Sequence, residues 1–310
     1  MKDLNRRDFF KTVTFGVAVG TLGASSVKGA DKVLSENRVG VLVDTEACVG
    51  CRLCEFACKE AHGMPTEPLE TYYDTSVFKE YRRPDKSALT VVNQFENEKN
   101  PLLPINFKVQ CMHCERPACV SACIVGAFTK KDDGSVVWDT DKCIGCRYCM
   151  VACPFQIPTY DYDVAINPLI RKCDLCEKRR KMEKLPACVD ICPNEALIFG
   201  KRVDLLQIAK NRIKRKSDNY VSHIYGENEV GGTAWMYIAS KNFDKLKMPT
   251  LSASPAPGIS ETIQHGIFAY FVPPVTIYAL LGLMMWITKR RKGEEKQKQL
   301  EEKEKKGGDV

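Results

Sequence analysis

The chain has 310 residues, 44% of them apolar, with 16 cysteines and a net charge of +7. That apolar content excludes wholesale disorder, and the length allows one or two domains with a sizeable core. The charge is no nucleic-acid footprint: residues 1–29 carry five basic and two acidic groups, residues 289–310 carry nine and six, and the body between is near neutral.

At the N-terminus, Asn5-Arg6-Arg7-Asp8-Phe9-Phe10-Lys11 precedes an apolar run from Thr12 to Ala24. A charged start, a short apolar stretch and small residues predict a bacterial export signal over residues 1–29. The pair Arg6–Arg7 makes it the twin-arginine type, a route for proteins that fold around their cofactors before export. An amphipathic surface helix fits less well, because Phe15 to Ala24 has no polar face.

The body, residues 38–200, holds all 16 cysteines in four groups of four: Cys48, Cys51, Cys54, Cys58; Cys111, Cys114, Cys119, Cys123; Cys143, Cys146, Cys149, Cys153; and Cys173, Cys176, Cys188, Cys192. Groups one and three have the C-x2-C-x2-C-x3-C spacing of bacterial ferredoxins, and Pro154 completes the run in group three. Groups two and four widen one gap. Three thiolates two residues apart let a tight loop wrap an iron–sulfur cube. The fourth lies about one helical turn on and, in two-cluster ferredoxins, serves the other cluster. Gly50 and Gly145 occupy the same place in two of the loops, where a close backbone approach needs no side chain. A repeat supports the reading: Val41-Leu42-Val43-Asp44-Thr45 enters group one as Val136-Val137-Trp138-Asp139-Thr140 enters group three. Asp132-Asp133-Gly134 predicts a hairpin between Ala127–Thr129 and Val136–Trp138.

Other uses of cysteine fit less well. Neighbours two apart are poorly placed for disulfides. Zinc prefers two separated pairs, which only group four resembles. Covalent haem needs His after C-x2-C, where this chain has Arg52, Glu115, Arg147 and Glu177. Four 4Fe–4S clusters are therefore the expected cofactors, with Arg52, Arg116, Arg147, Arg171 and Lys172 as candidates to offset their negative charge. Phe56, Tyr148 and Phe155 lie beside the loops as packing.

Residues 201–266 read as an extension packing on the clusters or a partner, with a helix beginning over Val203–Lys214. His62, His223 and His265 have no assigned role. Ile267 to Thr288 is 22 residues without a charge. At ~1.5 Å per residue this is about 33 Å, a transmembrane helix. Lys289-Arg290-Arg291-Lys292 follows, which puts the C-terminus in the cytoplasm and the body in the periplasm. The charged tail through Val310 reads as a basic anchor and disordered end.

The four groups, in this order and with these gaps, resemble the four-cluster iron–sulfur subunits of membrane-bound respiratory oxidoreductases. The resemblance rests on Cys111-Met112-His113-Cys114, on Cys146 to Pro154, and on Pro186-Ala187-Cys188 to Cys192-Pro193. Tyr225-Gly226-Glu227, Gly231-Gly232-Thr233 and Ile263-Gln264-His265 are most similar to the HybA type, the electron-transfer subunit of periplasm-facing nickel–iron uptake hydrogenases. The resemblance implies an α+β fold of tandem ferredoxin-like 4Fe–4S modules with a C-terminal transmembrane helix, groups one and four forming one module and groups two and three the other. It also implies four ligand sets: Cys48, Cys51, Cys54 and Cys192; Cys58, Cys173, Cys176 and Cys188; Cys111, Cys114, Cys119 and Cys153; and Cys123, Cys143, Cys146 and Cys149. Ile124 stands where Pro usually follows the fourth cysteine of group two, and Lys59 takes that place in group one, where the family often lacks Pro. The implied partners are nickel–iron catalytic subunits and a quinone-reactive integral membrane subunit, with catalysis outside this chain and no nucleic acid. Ile259-Ser260-Glu261-Thr262 also resembles the iron–sulfur subunit of molybdenum or tungsten enzymes such as formate dehydrogenase. A third reading is a metal-stabilised binding module without redox activity, which redox-silent metal centres would favour.

Overall fold

The computed structural model describes residues 37–98, 100–164, 169–258, 277–294 and 297. The export signal with Arg6 and Arg7 lies outside the described residues, as does His265.

The central sheet has three strands in the order β8 (Leu197–Lys201), β1 (Val39–Asp44), β9 (Trp235–Ile238). β1 runs antiparallel to β8, with Val39 opposite Lys201, and parallel to β9, with Val41 opposite Trp235. Side chains alternate across a strand, so β1 serves two cores at once. Leu42 joins Met236, Ile238, Leu205 and Ala209 under a helix, α6 (Arg202–Arg215). Val41 and Val43 face the other way, toward Trp235, Tyr237 and Phe107 in the main core. The expected helix over 203–214 is present. The stretch read as a partner-packing extension supplies β9, whose residues are completely buried beside β1.

The sheet positions the cysteine loops. β1 leads into the loop of group one and then α1 (Leu53–Ala61); after group four, α5 (Ala187–Asp190) leads out into β8. α1 packs on α5. Between them a second unit repeats the plan. There β4 (Phe128–Lys130) and β5 (Val136–Trp138) form the expected hairpin, with Phe128 opposite Trp138, and α2 (Ala118–Ser121) packs on α3 (Tyr148–Ala152). β6 (Thr159–Tyr160) and β7 (Ile170–Arg171) pair before group four, and α4 (Glu177–Lys181) follows Cys176. Two modules thus share one topology, one split in sequence and the other contiguous.

The segment between groups one and two adds a hairpin, β2 (Val91–Phe95) with β3 (Ile105–Val109), and two short 3-10 turns over Leu69–Tyr73 and Thr75–Lys79. Glu55 of α1, 3% exposed, ties this segment to group one. It accepts from the Val92 amide at 2.6 Å and pairs with Arg82 at 2.6 Å and Arg52 at 3.4 Å.

The expected membrane helix over 267–288 lies only partly within the described residues. Of the expected membrane helix, 267–276 lie outside them, and 277–294 is an exposed helix. No described helix is long and apolar enough to cross a membrane. The reason is length: the charged residues begin at Lys289, so 277–288 alone falls short of about 30 Å of hydrocarbon.

Candidate metal centres

The four C-x2-C loops share a backbone conformation. The residue before the second cysteine has positive φ in every case: Gly50 at 72°, His113 at 50°, Gly145 at 68° and Leu175 at 58°. Arg52 and Arg147, just past the loops of the repeat, also match at 60° and 62°. A left-handed residue there reverses the chain within two residues and brings amides to the sulfurs. The amide of Gly50 donates to Cys48, and that of Leu175 donates to Cys173 Sγ at 3.4 Å. Further amides donate to Cys123 from Ala127, at 3.2 Å, and to Cys153 from Ile157, Phe155 and Gln156. Such donors favour sulfur in its anionic form.

Gly50 has no alternative residue. A Cβ there would stand 2.4 Å from Asn106 Oδ1, and Asn106 is held by its own bonds to Cys48 O (2.8 Å) and Gln94 (3.2 Å). We expect Gly50→Ala to cost at least about 1–2 kcal/mol from the left-handed backbone alone. It should also release the metal of group one first. A thermal melt with iron quantitation checks this, and an unchanged midpoint with full iron contradicts it.

The fold sorts the cysteines across sequence groups. Cys48, Cys51, Cys54 and Cys192 line one cavity with Lys108 and Val92. Burial, then the charges of Cys192 and Cys51, push Cys48 up to about 11 despite the Gly50 amide. Burial, then Cys58 and Cys176, push Cys188 up to about 12 against Lys108, and Cys173 is raised by burial, Cys58 and Cys176. Burial, then Cys111, Cys153 and Cys119, raise Cys114. Burial, then Cys143, Cys146 and Cys123, push Cys149 up to about 12. In each set three members come from one part of the chain and the fourth from another. The sets also act on one another electrostatically in order: Cys188 raises Cys54, Cys111 raises Cys173, and Cys149 raises Cys119, each after burial.

The donor sets fit a cube of iron and sulfide. All 16 cysteines are free of disulfides. Zinc bound by thiolates at about 2.3 Å would bring its sulfurs to within about 4 Å of one another. Among the described residues the only group of ligand atoms within 4.8 Å is His62, Asp174 and Cys176, with no three cysteines together. Four thiolates too far apart for one ion suit a larger polynuclear core, whose iron atoms each take one thiolate.

The charged neighbours differ from the sequence expectation. Lys172 is buried, donating to Val136 O at 2.5 Å and Cys173 O at 2.9 Å, with the Cys111, Cys119 and Cys173 sulfurs supporting its charge. Arg52 instead spends its guanidinium on Glu55 and on the carbonyls of Tyr72 and Asp74. Arg147 stacks over Tyr160 at 5.4 Å. His62 bridges Cys58 O and Asp174, each at 2.8 Å, beside the second set, and His223 pairs with Glu229 at 2.7 Å. His113 is fully buried, and burial with Lys172, Lys130 and Arg180 nearby keeps it neutral; its Nδ1 accepts from the Val136 amide at 2.9 Å. Phe155 packs in the core and Phe56 against Tyr72, while Tyr148 is exposed. Ile144, Tyr148 and Val151, close in sequence to the exposed Cys146, are themselves exposed apolar residues, as is Ile124 next to Cys123.

Sequence reading missed Lys108 and Asn106. Both lie on the polar face of β3, an alternation that normally marks a solvent-facing side. Here that face is buried, at 2% and 4% exposure, against the first cysteine set.

The model of a 4Fe-4S dicluster domain matches residues 105–202. A protein of Nitratidesulfovibrio vulgaris is 50% identical over 67% of this chain and 56% of its own length. The hydrogenase-2 operon protein HybA of Escherichia coli O157:H7 is 33% identical over 91% of this chain and 95% of its own. The iron-sulfur subunit of the nitrate-inducible formate dehydrogenase of Escherichia coli K12 is 33% identical over 64% of this chain and 67% of its own. With the dicluster match falling on the cysteine loops and the HybA likeness running almost end to end, the chain belongs to the HybA family of iron–sulfur electron-transfer subunits, relatives of the formate dehydrogenase iron–sulfur subunits, in which catalysis lies in other subunits.

Proposed function

We propose that the chain carries four 4Fe–4S clusters and passes electrons from a periplasmic nickel–iron hydrogenase to a quinone-reactive membrane subunit. The observation that supports this best is the sorting of sixteen cysteines into four sets that neighbour one another in series. The ligands are Cys48, Cys51, Cys54 and Cys192 for the first cluster and Cys58, Cys173, Cys176 and Cys188 for the second. Cys111, Cys114, Cys119 and Cys153 hold the third, and Cys123, Cys143, Cys146 and Cys149 the fourth. Bound clusters supply one-electron redox chemistry at potentials set by charge, burial and hydrogen bonds to sulfur. The chain's own residues do the rest. Backbone amides of the loops donate to the thiolates, Lys172 and Lys108 offset their charge, and Phe155, Val43 and Leu197 keep water away. The exposure of Cys146 and of its sequence neighbours Ile144 and Tyr148 leaves the fourth set open to a partner.

The hydrogenase reading is favoured over formate dehydrogenase because the HybA likeness covers 91% of the chain against 64%. Elemental analysis of the native complex tests it. Iron with nickel is expected; iron with molybdenum or tungsten moves the assignment to the formate dehydrogenase branch, and zinc with little iron removes the electron-transfer reading.

The proposed location is the periplasmic face of the inner membrane, after twin-arginine export and with a single anchor over 267–288. Its support is the Arg6–Arg7 signal and the apolar, exposed helix 277–288 ahead of Lys289–Lys292. Changing Arg6 and Arg7 together to Lys should leave the protein unexported. Undiminished access to protease in spheroplasts contradicts the twin-arginine assignment.

A further inference from the structure

Lys108 is a buried cation without a carboxylate. Its side chain lies on β3 at 2% exposure, and Nζ donates to Thr90 Oγ1 at 2.6 Å and Gln110 Oε1 at 3.0 Å. It stands 4.6 Å from the centre of the Trp235 ring. All three partners are neutral. The nearest acidic candidate on α1, Glu55, is already held by Arg82 and the Val92 amide, and no described carboxylate pairs with Lys108. An ammonium buried this way is costly unless negative charge faces it.

With clusters bound, the negative charge that faces it is carried on sulfur. Lys108 lines the cavity of Cys48, Cys51, Cys54 and Cys192. Burial works against its charge, but Cys188, Cys54, Cys173 and Cys58 outweigh burial and hold its pKa above the usual lysine value. Three of these four sulfurs belong to the second set, so the field of an ammonium lining the first cavity also reaches the second centre.

We propose that Lys108 is a shared counter-charge for the first and second centres, a positioning residue that raises both potentials and leaves the third and fourth to other groups. The inference rests on the 4Fe–4S reading of the cysteine sets. Each one-electron reduction adds one negative charge to a centre. A fixed ammonium in a poorly screened site stabilises that added charge, so the reduced state gains and the potential rises. Thr90 and Gln110 hold the ammonium in place, so its field needs no rearrangement when the electron arrives.

The test is an EPR-monitored redox titration of the purified native complex carrying Lys108→Met, with Lys108→Arg as the charge-keeping control and iron quantified in each. In Lys108→Met, two of the cluster signals should fall in potential. The expected size is at least a tenfold change in the oxidised-to-reduced ratio at fixed potential, about 59 mV for a one-electron couple. The other signals should stay, and Lys108→Arg should titrate close to wild type. Iron loss in Lys108→Met with retention in Lys108→Arg supports the same dependence on the ammonium, read at assembly, because Met approximates the stem and removes the ammonium with its bonds to Thr90 and Gln110. Full iron with unmoved potentials overturns the inference. A uniform shift of every signal does too, as does equal iron loss in both variants. A wild-type complex without 4Fe–4S signals overturns the proposed function instead.

Discussion

In a Cys153→Ser variant, the centre of Cys111, Cys114 and Cys119 is lost and that of Cys143, Cys146 and Cys149 survives. Cys153 is the last member of group three in sequence, but it follows α3 and its sulfur lies among those of group two. Cys123 makes the reciprocal crossing into group three. Serine keeps the size of the side chain and removes the thiolate, so the damage is to ligation rather than packing. About four of about sixteen irons should go, taking one EPR signal with them. A Cys143→Ser variant is the control, and it should lose a different signal. If both variants lose the same one, the crossing is wrong.

Anaerobic removal of iron should abolish most of the cooperative unfolding transition, a loss comparable to the whole stability of about 5–15 kcal/mol typical of a domain. The helices that carry the cysteines are too short to stand alone: Ala118–Ser121, Tyr148–Ala152 and Ala187–Asp190 span little more than a turn and lack side-chain caps. Cys111, Cys173 and Cys188 belong to the main core itself. Without metal, burial keeps the thiols protonated at neutral pH, with Cys48 at about 11 and Cys119 at about 12. Loading therefore displaces protons, and the folded, loaded state weakens as pH falls. Circular dichroism melts before and after chelation, at two pH values, read both effects. A chelated protein that melts at the original temperature contradicts the first. Iron retention that is equal at both pH values contradicts the second.

The local signals were legible wherever a short range of chain decides the chemistry. Cysteine spacing marked the loops, and Gly50 and Gly145 marked where the chain turns back with positive φ. The Asp132–Gly134 turn marked the β4–β5 hairpin. His113 and Leu175 take the same left-handed place without being glycine, so their composition gave no sign of it. The resemblance implied which cysteines go together, whereas spacing alone marks a ligand and not its partners. Nothing near Cys192 says that it faces Cys48.

Burial was the harder quantity. The alternation in Ile105-Asn106-Phe107-Lys108-Val109 reads as one dry face and one wet face. Packing makes both faces dry, because the polar one covers the first cysteine set. Residues 201–248 carry few motifs and read as peripheral, yet β9 completes the central sheet beside β1 through a parallel pairing that no local turn announces. The thiolate chemistry, the internal repeat and the charged ends are written in contiguous residues and are legible without the fold. Only the tertiary structure decided which loops meet and where the buried ammonium of Lys108 lies. Those depend on strands brought together across the whole chain, and on the low-dielectric space that they enclose.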